Sequence, residues 1–134
     1  MDVDALLEAA RAAAERAYAP YSGYRVGAAL LAEDGTVVTA CNVENVSYGL
    51  TMCAERAAVA RAVAEGKRAF RAIAIVTDGS DAITPCGACR QVLAEFAPDL
   101  RVVSQGRAER HEWPLSWLLP DPFRAPPEWR GEKE

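Results

Sequence analysis

The chain has 134 residues, 51% hydrophobic and 25% charged, with a formal net charge of -4. That length suits one domain, 1–134, around one core, and a domain of this size buries roughly two thirds of its unfolded surface without disulfide staples. Lys and Arg are scattered, with Arg107 and Arg110 beside Glu109 and Glu112. The basic stripe that tracks a phosphate backbone is missing, so a nucleic acid polymer is excluded as a partner and a small neutral substrate is not.

In chain order, residues 2–18 place Leu6, Leu7, Ala10, Ala13, Ala14 and Ala17 at helical spacing, which predicts an amphipathic helix ended by Pro20. A loop from Tyr18 to Tyr24 follows. Residues 25–41 read as a β-hairpin turned at Asp34-Gly35, and 42–51 as polar and irregular. Cys53 to Glu65 reads as a second helix stopped by Gly66, and Phe70 to Thr77 as a buried strand. A third helix is expected over 86–96, opened by Pro85 and closed before Pro98. Strands at 100–104 and 108–113 and a short helix at 115–119 complete the pattern. Prolines at 120, 122, 126 and 127 make 121–134 an extended tail. The order implies an α/β fold: a three-layer α-β-α sandwich on a mixed sheet of about five strands, with 70–77 and 100–104 parallel.

Met1 to Ala14 carries Asp2, Asp4, Glu8 and Arg11 rather than the apolar core of a leader, and no run of 18 apolar residues exists. The expectation is a cytoplasmic protein with no membrane partner. In that reducing compartment, four cysteines read as metal ligands or catalytic thiols rather than disulfides.

Three of them carry the chemistry. Cys86 and Cys89 stand at i and i+3 on one helix face and can grip one metal, and Cys53 can complete three ligands if the two helix starts converge. Three protein ligands leave a tetrahedral position open, as in catalytic zinc sites. Helix N-termini favour thiolates over thiols. Three thiolates around zinc leave a formal charge of about -1, which Arg56, three positions after Cys53, can offset by donating to a sulfur, unless it is a plain surface residue. Two positions along a regular helix turn about 200°, so Glu55 reaches such a site only if the helix start points at it; otherwise it is a dipole partner of the first turn.

The pair Cys53-Ala54-Glu55 with Pro85-Cys86-Gly87-Ala88-Cys89 resembles the signature of the zinc nucleoside and nucleobase deaminases. Tyr18-Ala19-Pro20-Tyr21-Ser22, Val26 to Leu30, Asn42-Val43-Glu44-Asn45, Arg90-Gln91-Val92 and Leu118-Leu119-Pro120 with Phe123 extend the resemblance to the short, homotetrameric cytidine deaminases, over about 5–123. The resemblance implies one Zn²⁺ per chain on Cys53, Cys86 and Cys89, with Glu55 as the catalytic proton shuttle for hydrolysis of free cytidine or deoxycytidine in pyrimidine salvage. It implies Asn42 and Glu44 on the ribose hydroxyls, with Tyr24 and Ala54 beside the substrate. It also implies that Phe123 reaches the ring from a neighbouring subunit of a homotetramer with shared active sites.

Three rivals remain. A blasticidin-S-type deaminase would share the zinc motifs but not favour the ribose segment at 42–45. A non-catalytic zinc module would close its site with Cys41, and a thiol redox protein would use Cys86 and Cys89 alone. His111, among charged neighbours, reads as a surface residue, and Cys41 as a small buried hydrophobe.

Overall fold

The computed structural model describes residues 1–130 of the chain. Helix α1 (Val3–Ala14) is capped by Asp2, whose side chain accepts from the Ala5 N–H at 3.0 Å. Strands β1 (Val26–Ala32) and β2 (Val37–Cys41) form the expected hairpin, with Gly35 at φ 93° in its turn. Helix α2 (Ala54–Ala64) ends at Gly66, also in the left-handed region. Strand β3 (Phe70–Thr77), helix α3 (Gly87–Phe96), strands β4 (Arg101–Gln105) and β5 (Arg110–Pro114), and helix α4 (Leu115–Leu118) follow.

The five strands make one sheet in the order β2-β1-β3-β4-β5. Only β3 and β4 pair in parallel, so the sheet is mixed, as expected. Its two faces bury separate clusters. On one, Leu6, Leu7 and Ala10 of α1 pack on Ala29, Leu31, Ala74 and Val103. On the other, α2, α3 and α4 cover Leu30, Ile73, Ile75 and Val102. The alternation along each strand selects the face, and the three layers are those read from the sequence.

The topology decides where the helices begin. β2 and β3 are each antiparallel to β1, so they run in the same direction, and Gly27 of β1 is level with both Cys41 and Val76. The chain therefore leaves β2 and β3 at one edge of the sheet. α2 and α3, which follow them on the same face, pack against each other.

One boundary differs clearly from the reading of the sequence. α1 ends at Ala14, short of the expected 18. Tyr18 has been taken out of the helix, because its N–H donates to the Asn42 carbonyl at 3.0 Å and its carbonyl accepts from Glu44 at 2.8 Å. A local preference yields here to a backbone bridge between the two loops that frame the edge described above. The segment 42–52, read as irregular, contributes a second bridge, Val43 to Met52. After Leu119 the chain has no regular structure until a helical turn, α5 (Pro127–Arg130); residues 131–134 of the expected tail lie outside the described residues.

α1 lies so close to β1 that a Cβ on Gly27 would sit 1.9 Å from the Ala10 carbonyl oxygen and 2.5 Å from the Ala14 nitrogen. Both are backbone atoms, which cannot rotate away. Gly27→Ala is expected to destabilise the fold by about 3 kcal/mol, read as a fall in the denaturation midpoint at fixed protein concentration. An unchanged midpoint would mean that α1 is free to lift off the sheet.

Candidate active site

Cys53 is the N-cap of α2 and Cys86 the N-cap of α3, both with extended backbone, and Cys89 lies in the first turn of α3. Their three Sγ atoms all lie within 4.8 Å of one another, and those of Cys53 and Cys86 are 3.9 Å apart. Zinc–sulfur bonds of about 2.3 Å in a tetrahedron place sulfurs about 3.8 Å apart, so the spacing fits that ion. Among the described residues no fourth His, Cys, Asp or Glu joins the group. Cys41, the fourth ligand of a closed module, instead ends β2 and lines a separate groove with Arg16 and Arg61. His111 is exposed, 3.6 Å from Glu109 and stacked on Trp113.

The sulfurs are electrostatically prepared. The Cys53 thiol is lowered to about 5, first by a hydrogen bond from Cys89 and further by Arg56 and Cys86. The same shared proton raises Cys89, and burial raises it further. A divalent cation in place of that proton would relieve the competition between the two sulfurs. The Arg56 guanidinium donates to Cys53 Sγ at 3.6 Å and to the Thr51 carbonyl at 3.3 Å, and its Nε is buried with no partner. Its positive charge is thus held against the sulfur cluster.

Glu55 is 4% exposed, and burial pushes its carboxyl up to about 7, with the negative Cys53 adding to the effect. It lines one cavity with Cys53, Ala54 and Cys86, of about 220 Å³. The angular objection to Glu55 fails for a local reason. Cys53 has φ -72° and ψ 153°, so the step from 53 to 55 is not taken along a regular helix.

Tyr24, Asn42 and Glu44 line the same cavity from the facing loops. Their polar groups also hold those loops together. Asn42 is 8% exposed; its Oδ1 accepts from the Val26 N–H and its Nδ2 donates to the Tyr24 carbonyl, each at 2.9 Å. One amide hydrogen and one lone pair of Asn42 are left over for a ligand. Glu44 accepts from the backbone N–H groups of Tyr21 and Ser22 at 2.9 and 3.1 Å and from the Ser22 hydroxyl. These donors, the Ser22 hydroxyl foremost, hold its carboxyl below the usual range. Tyr24 lies over Gly79, where a Cβ would come 2.9 Å from its ring. Phe123 is not in this cavity. It is 68% exposed, packs edge-on against Trp129, and has its backbone held by Gln91.

Sequence reasoning assigned no role to Ser22, Thr51, Ile83 or Thr84, which also line the cavity. Ser22 lay inside a motif that was read, but hydroxyls in a loop with Pro and Gly carry no spacing signal. A second cavity of about 390 Å³, bounded by Tyr21, Asn45 and Tyr48, adjoins the first through Ser22, Glu44 and Thr51.

Comparison with known proteins agrees with this geometry. Residues 2–105 match the family described as the cytidine and deoxycytidylate deaminase zinc-binding region. A cytidine deaminase of Halalkalibacterium halodurans is 49% identical over 127 residues, covering 93% of this chain and 96% of its own. The crystal structure of cytidine deaminase from Burkholderia pseudomallei superposes with a TM-score of 0.88 at 51% identity, covering 92% of this chain and all of that one. A blasticidin-S deaminase of Bacillus cereus is more distant, 30% identical over 105 residues and covering 72% of this chain and 75% of its own.

Metal analysis of purified protein is expected to give roughly one zinc per chain, retained in Cys41→Ala and lost in Cys89→Ala. Loss of zinc in Cys41→Ala would make the site a closed four-sulfur one.

Proposed function

The chain belongs to the cytidine and deoxycytidylate deaminase family, and from that premise we propose that it hydrolyses free cytidine or deoxycytidine to the uridine form with release of ammonia. The observation that carries this reading is a buried carboxyl, Glu55, sharing one cavity with two sulfurs of the metal cluster and with Asn42 and Glu44.

When bound at Cys53, Cys86 and Cys89, zinc supplies a hydroxide equivalent near neutral pH by lowering the pKa of water from 15.7 to about 7. The chain's own residues do the rest. Glu55 takes a proton from the attacking water, places it on N3 of the cytosine ring, and later delivers a proton to the amine leaving from C4. Its burial excludes bulk water that would otherwise compete for that proton. Arg56 offsets the excess negative charge of three thiolates. Ala54, fully buried, lines the cavity with a single methyl group and leaves room for the ring, and Tyr24 lines it with an aromatic face. Asn42 and Glu44 offer their remaining donor and acceptor positions to the ribose hydroxyls. Because both are already tied to backbone, they are fixed in place before substrate arrives.

The active form is a homotetramer in which Phe123 of one subunit closes a neighbour's site. Two observations support this. Phe123 stands outside its own cavity, largely exposed. In the two loops joined by the Tyr18–Val43 bridge and the Tyr21–Tyr48 ring contact, Tyr18, Tyr21, Val43, Val46, Tyr48 and Leu50 are exposed, with Val46 and Tyr48 at 75%. Apolar groups gathered this way on one side of a small protein mark an association surface. Among the described residues no helix is long and apolar enough to cross a membrane. We place the enzyme in the cytoplasm, in the salvage of free pyrimidine nucleosides, and read the chain as one catalytic domain.

Purified protein is expected to lower the ultraviolet absorbance of cytidine with one ammonia released per uridine formed. Glu55→Gln is expected to keep its zinc and lose roughly 10²- to 10⁴-fold in turnover, the range of a lost general acid–base. Turnover at the wild-type level would remove Glu55 from the chemistry. Phe123→Ala is expected to be impaired, and co-assembly with Glu55→Gln chains to restore part of the activity, since some sites then draw both intact residues from different chains. No recovery on mixing would confine each site to a single chain.

A further inference from the structure

We propose that Gln91 is a positioning residue, whose side-chain amide fixes where Phe123 stands relative to the metal-binding helix. The proposal rests on the reading that Phe123 completes a neighbouring site.

Its basis is a two-point clasp. Gln91 Nε2 donates to the Phe123 carbonyl at 2.9 Å, and the Phe123 N–H donates to Gln91 Oε1 at 3.0 Å. One side chain thus satisfies both backbone polar groups of one residue, 32 positions away, as a neighbouring strand would. The clasp falls where the chain has no helix or strand, between Leu119 and Pro127. An irregular segment is ordered only by such contacts, and two convergent hydrogen bonds fix its direction as well as its distance.

The helix at the other end of the clasp is α3, which also carries Cys86 at its cap and Cys89 in its first turn. The next residue, Arg90, donates to the Pro85 carbonyl at 2.7 Å and to the Leu118 carbonyl at 2.8 Å. Arg90 therefore joins the residue before a metal ligand to the end of α4, and Gln91 joins the same helix to the tail. The aromatic ring delivered to one site is thereby set in register with the sulfurs of its own. The Phe123 ring meets Trp129 edge-on at 6.2 Å, which restricts its swing once the backbone is held.

The test compares Gln91→Met, which keeps the length and volume of the side chain but not its amide, with Phe123→Ala and with the double variant. Zinc per chain and thermal midpoint are measured first, to show that α3 is intact. In Gln91→Met the Phe123 amide hydrogen is expected to exchange about tenfold faster, and KM for cytidine to rise about tenfold while kcat stays within about twofold. In the Phe123→Ala background Gln91→Met is expected to add nothing further, since a residue acting through another loses its effect when that other is removed. A KM increase that persists undiminished in the double variant overturns the proposal, because Gln91 then acts elsewhere. Wild-type KM in Gln91→Met beside an impaired Phe123→Ala overturns it as well and leaves the shared-site reading standing. Wild-type KM in Phe123→Ala itself defeats the shared-site reading, and this proposal with it.

Discussion

Three sulfurs from two helix starts meet within 4.8 Å, and the rest of the molecule is arranged around that meeting. It follows from strand direction. Because β2 and β3 point the same way, the helices after them start at one edge and on one face. Ligand sites of α/β proteins lie at the carboxyl ends of strands for the same reason. The requirement reaches the far layer of the fold. β1, which separates β2 from β3, is buried along its whole length, and Gly27 lets α1 press onto it. A shift in β1 would carry both neighbours, and with them both cysteine-bearing helix starts.

Gathering negative charge in a half-buried place is costly, and the structure distributes that cost. Helix N-termini face the sulfurs, and Arg56 lies against Cys53. For Glu55, burial outweighs what a backbone N–H and Arg56 contribute. Its carboxyl is desolvated beside the same cluster and held near neutrality, where it can both give and accept a proton. Neighbouring acids are thus driven in opposite directions, Cys53 down and Glu55 up, by what each one touches.

Much of this was legible in the sequence, because it rested on periodicity and fixed spacing. β3 was read residue for residue, and Cys86 and Cys89 share a cluster as their i, i+3 spacing requires. Reading failed where one backbone meets another across the fold. α1 was carried to residue 18 because nothing local shows that Tyr18 bridges the 42–44 loop. For the amide of Asn42 the sequence offers turn chemistry or a ligand's hydroxyls, and nothing local shows that it joins Val26 to Tyr24 across the fold. Gln91 sat within a recognised segment with no role, because a clasp between a helix side chain and a distant backbone leaves no pattern along the chain.

X-ray absorption at the zinc edge reads the set of atoms around the ion directly. The expected shell is three sulfurs at about 2.3 Å and one oxygen at about 2.0 Å. A shell of four sulfurs, or of fewer than three, would contradict it.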